Sequence, residues 1–255
     1  MTIFRAFIAA AGAALSLAGA AHGAYPGTYG EQGVLGSLTV SGSGGTTTLS
    51  AGGRTVTIKG AFGIPTLITT GARLGLSHDR SRVVLQSVSQ GPTRFVVVRM
   101  RDLHVLQTLT LNGSYAFDAL SPDSARLYLI EHRSTDLQHY IVRAYDLRAR
   151  RLLPGRIADR TQASWVMHGW PASRVATTDG RWVYTLYANP GGYPFVHALD
   201  TVMGVAHCVG IGWQGSQDPL YNYRLVVRGS RLLVLRANAS VYRAIDRTTW
   251  AVSLR

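Results

Sequence analysis

Cysteine is all but missing from this chain. Cys208 stands alone, so no intramolecular disulfide can form, and stability has to come from a packed core and backbone ladders. A solitary cysteine within an apolar run reads as a buried thiol rather than a nucleophile. Lysine is equally scarce. Lys59 is the only one among 26 basic residues, and the rest being arginine is most simply a GC-rich codon bias. Acidic residues number 13, giving a formal net charge of +13. That sign draws a protein toward anionic polymers and lipid surfaces. A nucleic-acid partner is not expected, because no recognition motif is present and the chain begins as exported proteins do. Two Asn-x-Ser sites, Asn112 and Asn238, would matter only in a eukaryotic secretory route.

Long apolar runs are missing too, except at the start. One basic residue, Arg5, precedes an Ala- and Gly-rich apolar stretch over residues 6–20, too short for a bilayer span of roughly 20 residues. This pattern predicts a signal peptide over residues 1–23, with small residues placing cleavage before Ala24 or Ala21. The expected product is residues 24–255, a single extracytoplasmic domain secreted by a bacterium, with no transmembrane span and monomeric. Helical periodicity is scarce beyond the leader, and residues 147–153 read as a turn plus a strand.

What the chain does have is a repeat. Four stretches, LSHDRSRVVLQS, ALSPDSARLYLIEH, ATTDGRWVYTLYA and VVRGSRLLVLRA, each join a strand end to a short polar turn and then to a strand of β-branched and large apolar residues. Their turns carry Asp79, Asp123, Asp179 and Gly229. A second landmark follows each turn, an aspartate closing another strand: Asp102, Asp146, Asp200 and Asp246, spaced by 44, 54 and 46 residues. A turn carboxylate accepts hydrogen bonds from backbone N–H groups just ahead of it and so fixes a chain reversal. A period of about 45 residues with four short strands per unit predicts an all-β protein, a β-propeller of about five four-stranded blades. Residues 24–60 form a degenerate first blade of short strands and Gly/Ser turns, with Ser50 standing 52 residues before Asp102. The last blade is expected to close against the first.

The SPDSARLYL and DGRWVYTLY turns, with the strand-end YDLR and ALDT, resemble the repeats of the YVTN, NHL and WD40-like propeller proteins that bacteria export. FGIP, FDALSPD, RAYDLRARRLLPG and PFVHALDT resemble an uncharacterised secreted propeller family. The resemblance covers roughly residues 60–255. It implies the fold and little about function, because the fold hosts many activities.

Aligning the repeats places Leu74, Asp118, Arg174 and Arg224 in one column of the inner strands, on the face of the strand that Leu76, Leu120, Ala176 and Val226 share. Two readings apply: Asp118 pairs with one or both arginines as a buried charge cluster, or the column marks an anion or sugar site at the tunnel mouth. Two long connections add candidates. ADRTQASWVMHGWPASR holds Trp165, His168 and Trp170; WQGSQDPLYNYR holds Trp213 and Tyr221. These rings either stack on a ligand or plug the barrel end.

Catalysis is the weaker reading. With the turn aspartates set aside, only Asp118 lies on an inner strand, whereas glycoside hydrolysis needs at least two facing carboxylates. No H-x-H, H-E-x-x-H or G-x-S-x-G spacing occurs, so no metal, cofactor or catalytic residue is assigned. The expectation is a non-catalytic binding or scaffold propeller engaging an envelope polymer, an anionic glycan or a protein. The alternative is a carbohydrate-active or lactone-hydrolysing enzyme using the same mouth.

Overall fold

The computed structural model describes residues 27–88, 92–133, 135, 139–159, 161 and 164–254. The signal-peptide expectation lies outside the described residues. Among the described residues, twenty-two strands form five antiparallel sheets. β1 (Thr28–Glu31) comes first. Blade one is β2 (Gly33–Leu35), β3 (Leu38–Ser43), β4 (Thr46–Ala51) and β5 (Arg54–Lys59). Blade two is β6 (Phe62–Leu67), β7 (Arg82–Ser87), β8 (Thr93–Arg99) and β9 (His104–Leu111). Blade three is β10 (Tyr115–Leu120), β11 (Arg126–His132), β12 (His139–Asp146) and the short β13 (Arg151–Leu152), with β14 (Met167–His168) also on β12. Blade four is β15 (Trp170–Ala176), β16 (Trp182–Ala188), β17 (Phe195–Asp200) and β18 (Val205–Gly210). Blade five is β19 (Arg224–Arg228), β20 (Arg231–Leu235), β21 (Val241–Asp246) and β22 (Val252–Leu254). Each blade is a meander whose sequential strands pair, the arrangement of a β-propeller.

The turn aspartates act as their spacing predicts. Asp79, Asp123 and Asp179 each accept the N–H two residues on and the hydroxyl of Ser77, Ser121 or Thr177 two residues back. Asp146, Asp200 and Asp246 each accept two successive N–H groups. The Ser77 and Ser121 hydroxyls are the main cause holding the Asp79 and Asp123 carboxyls below their ordinary range, Asp79 at about 2. Blade one solves the same problem without carboxylates. Gly44–Gly45 and Gly52–Gly53 sit at positive φ in two-residue hairpins, and Ser50 pairs with Thr55 across the ladder instead.

Three features reshape the simple repeat. β1 joins blade two, pairing along β6 from Thr28↔Leu67 to Glu31↔Ile64. β6 meets β7 only at Phe62 and Gly63, and residues 73–77 supply the rest of the innermost partner through the Leu76↔Val83 bridge. The outer edge of blade three is assembled in pieces: β13 pairs with Tyr145 and Asp146, Ile157 bridges Val142, and β14 pairs with His139 and Tyr140.

Alternation along the strands gives each inner sheet two apolar faces, and neighbouring blades share them. Val84, Phe95, Tyr115 and Leu129 join blades two and three. Tyr140, Val142, Tyr187 and Phe195 join three and four. Tyr184, Leu186, Leu232 and Ile245 join four and five, and Leu38, Leu49, Ile64 and Val83 join one and two. Each such side chain, fully buried, contributes about 1.5–3 kcal/mol. The remaining cluster, Leu233, Leu235 and Ala244 with Val226 and Val241, belongs to blade five alone. Blade one turns exposed Thr39, Ser41, Thr55 and Thr57 outward. Among the described residues no shared apolar cluster therefore joins the last blade to the first.

Candidate functional site

The inner strands of blades three and four are both bulged, at Asp118 and at Ala172. Register shifts between Phe117 and Ala119 on β10, and between Pro171 and Ser173 on β15. A bulge re-aims the side chains beside it, and Asp118 stands at the first. Its Oδ1 lies 2.9 Å from Arg174 Nη2, with the two side chains 3% and 7% exposed. Arg174 also donates to the Asp118 carbonyl oxygen. The structure thus brings two column residues together as a buried pair. Leu74 instead packs into the apolar core between blades two and three, and Arg224 is exposed at the start of β19, opposite Leu235.

Cross-blade hydrogen bonds draw the inner strands together around this pair. The Thr28 hydroxyl donates to Gln86 Oε1, which also accepts the Phe117 N–H, tying β1 to blades two and three. The Thr69 hydroxyl donates to the Pro171 carbonyl, and Ser173 Oγ accepts the Leu225 N–H at 3.0 Å. Tyr140, Tyr187 and His197 lie close enough to Asp118 to feel its charge. Burial, and then that charge, lifts the Tyr187 phenol above its ordinary range. Burial holds His197 neutral, with its pKa down at about 4. Asp118 Oδ2 and His197 Nε2 are buried without a hydrogen-bond partner among the described residues.

Cys208 adjoins the same cluster, its Sγ 3.6 Å from His197 Nδ1. Burial, followed by the Asp159 charge, pushes the thiol up to about 12. A neutral imidazole beside a thiol pushed in that direction is the reverse of an activated Cys–His pair, which needs a depressed thiol pKa. The cavity that both residues line holds about 10 Å3, the scale of one water molecule.

The long connections behave differently from one another. The first runs back along blade three: β14 pairs with β12, and His168 Nδ1 meets Asn189 Oδ1 at 2.9 Å. Trp170 opens β15 opposite Ala188. Trp165 packs edge-on against Phe195, with ring centroids 5.1 Å apart. Together they line a groove of about 730 Å3 with Tyr193 and Cys208.

The second connection builds an aromatic cluster on blade five. Trp213 sits edge-on to Tyr223 and Tyr242, with centroids at 5.6 and 5.1 Å. Trp213 Nε1–H donates to the Ser216 carbonyl, and the Tyr242 hydroxyl to that of Gly212. The guanidinium of Arg243 lies 3.9 Å from the centroid of the Tyr242 ring, a cation–π contact. Tyr193, 76% exposed, closes a second groove of about 570 Å3 with Trp213, Gln214, Tyr242 and Arg243. Tyr221, on the 3₁₀ turn Asp218–Asn222, is 36% exposed. Sequence reasoning found Trp165 and Trp213 but missed Tyr193, Tyr242 and Arg243. Tyr242 and Arg243 are adjacent, and their contacts with Gly212 bridge about thirty residues; only the exposed aromatic in the Gly191–Gly192–Tyr193 turn was available as a local signal.

No protein-family model matches the chain, and no curated protein matches it in sequence. Among solved structures it is similar to the β-propeller domain of the Trilobed protease from Pyrococcus furiosus, at 8% identity and a TM-score of 0.43, covering 89% of this chain and 57% of that one. It is also similar to TolB from Acinetobacter baumannii (13% identity, TM-score 0.37, 82% and 53% covered). A third similarity is to Kuenenia stuttgartiensis hydrazine synthase (16%, 0.44, 69% and 46%). The chain thus spans about half the length of these proteins. The sheet topology, rather than any of these similarities, identifies the propeller. Among the described residues no helix is long and apolar enough to cross a membrane.

Proposed function

We propose that the chain is an exported, non-catalytic binding propeller whose ligand, an envelope glycan, lies along the aromatic grooves of blades four and five. The observation that carries this reading is the pair of grooves sharing Tyr193, one walled by Trp165 and Phe195, the other by Trp213, Tyr242 and Arg243. Trp213 and Tyr242, held by their own polar tips, offer flat apolar faces at little entropic cost, and a sugar ring stacks on such faces. Arg243, whose Nε is engaged by the Ile211 carbonyl, adds positive charge beside them for a carboxylate on the glycan. The inner strands support binding rather than catalysis. Asp118 is committed to Arg174.

The test is titration of the purified secreted chain with isolated envelope polysaccharide, uronic-acid-containing and neutral, by calorimetry. Trp213→Ala with Tyr193→Ala should weaken binding at least tenfold, about 1.4 kcal/mol, in a variant that circular dichroism shows to be folded. Binding indifferent to both substitutions would refute the assignment.

A further inference from the structure

In an antiparallel four-stranded blade, the turn from the first to the second strand and the turn from the third to the fourth lie at the same end. All such turns therefore share one face of the propeller, opposite the end of blade four that bears Tyr193. That face is basic in every blade but the fourth's paired turn. Arg54, Arg80, Arg150, Arg151, Arg228 and Arg231 stand there, exposed, their guanidinium groups with no hydrogen bond or ion pair among the described residues. The acids at these turns are already engaged. Asp79, Asp123, Asp146, Asp179 and Asp246 hold backbone N–H groups, Asp102 faces Arg99 with both oxygens, and Asp200 pairs with Arg181.

Apolar groups sit among these charges. At the turn after β17, Val202 and Met203 are 49% and 61% exposed. Between blades one and two, a groove of about 1000 Å3 has Arg54, Arg80 and Arg101 at its margin, with Leu35, Leu76 and Leu106 also lining it.

We propose that this turn face docks on an anionic phospholipid bilayer. Arginines lie at the level of the phosphates, the groove between blades one and two takes lipid headgroups, and Val202 with Met203 enters the acyl boundary. The combination separates a bilayer from a soluble polyanion: a polyanion needs only the charges, whereas a bilayer also rewards protruding aliphatic side chains. Docking this way turns the aromatic grooves away from the membrane, toward the polymers of the envelope.

The experiment is co-sedimentation of the secreted chain with vesicles of phosphatidylcholine alone and of phosphatidylcholine mixed with phosphatidylglycerol, at low and raised salt. Binding is expected only to the mixed vesicles and should weaken as salt rises. Arg80→Ala with Arg228→Ala should weaken it about 25-fold, roughly fivefold per arginine. Val202→Ser with Met203→Ser, which leaves the charge unchanged, should weaken it about tenfold. The control Lys59→Ala with Arg133→Ala removes the same charge from the opposite face and should change binding less than the arginine pair on the turn face. Melting curves of each variant establish that it is folded. Failure to sediment with the mixed vesicles overturns the proposal, as does equal loss in the control. So does full competition by soluble polyphosphate with no effect of the Val202 and Met203 substitutions, which would identify plain polyanion binding.

Discussion

Replacing Arg174 by methionine tests whether the centre of the propeller is sealed. The Asp118 side chain is 3% exposed, its Oδ2 already lacks a partner among the described residues, and its Oδ1 depends on Arg174 Nη2 at 2.9 Å. Removing the guanidinium strands a buried negative charge and also frees the Asp118 carbonyl, which Arg174 serves. Breaking a buried pair from one side costs about 3–5 kcal/mol. For a chain of this size each kcal/mol moves Tm by about 2–4 °C, so the midpoint should fall by roughly 6–20 °C. The partner variant Asp118→Leu should cost a comparable amount by stranding Arg174. The double variant should recover most of the loss, because two apolar side chains leave no charge unpaired. Thermal and urea unfolding followed by circular dichroism would give all four corners of the cycle, with an expected coupling at least as large as the cost of one single variant, about 3 kcal/mol or more. Single variants that each cost under about 1 kcal/mol and add independently would refute the reasoning. They would mean that water reaches Asp118, and the inner strands would return as a ligand site.

Two further outcomes follow from the buried groups and the close strand contacts. His197 is held at about 4 by burial, against an unfolded value near 6.5. The unfolded chain therefore binds more protons in that window; the stability from the neutral imidazole is full above about pH 6.5 and is lost as pH falls toward 4. The difference is about 3 kcal/mol, so urea midpoints should decline across this range and flatten in His197→Gln; an equal slope in that variant would count against it. Gly63 lies so close to β1 that a Cβ there would stand 2.3 Å from the Glu31 nitrogen. Gly63→Val should strip amide-exchange protection from Thr28–Glu31 while the β11 and β16 amides stay protected, and retained protection of β1 would show that the two strands are not so closely packed.

The Asp118–Arg174 pair also has a functional consequence. With Asp118 and Arg174 committed to each other, the accessible aromatic and basic groups lie at the surface, in the grooves at one end and the arginines at the other.

Much of the architecture follows from local chemistry and is legible in the chain. An aspartate that captures N–H groups two or three residues ahead acts within one turn, so Asp79, Asp102, Asp123, Asp146, Asp179, Asp200 and Asp246 mark reversals wherever they occur. Their spacing together with two-residue alternation determines blades of antiparallel strands. Trp165 and Trp213 were visible for the same reason, as aromatics in connections longer than a turn needs. Tertiary structure alone decided what depends on partners far along the chain. Arg174 meets Asp118 across 56 residues at strands whose bulges break the alternation used to align them. β1 fills the inner edge of blade two, where Gly30 and Gly63 permit close approach. The connection before β15 lies along β12 because that strand's outer edge still has backbone groups to satisfy. Such choices are made by competition between whole surfaces and ladders, which no single segment encodes.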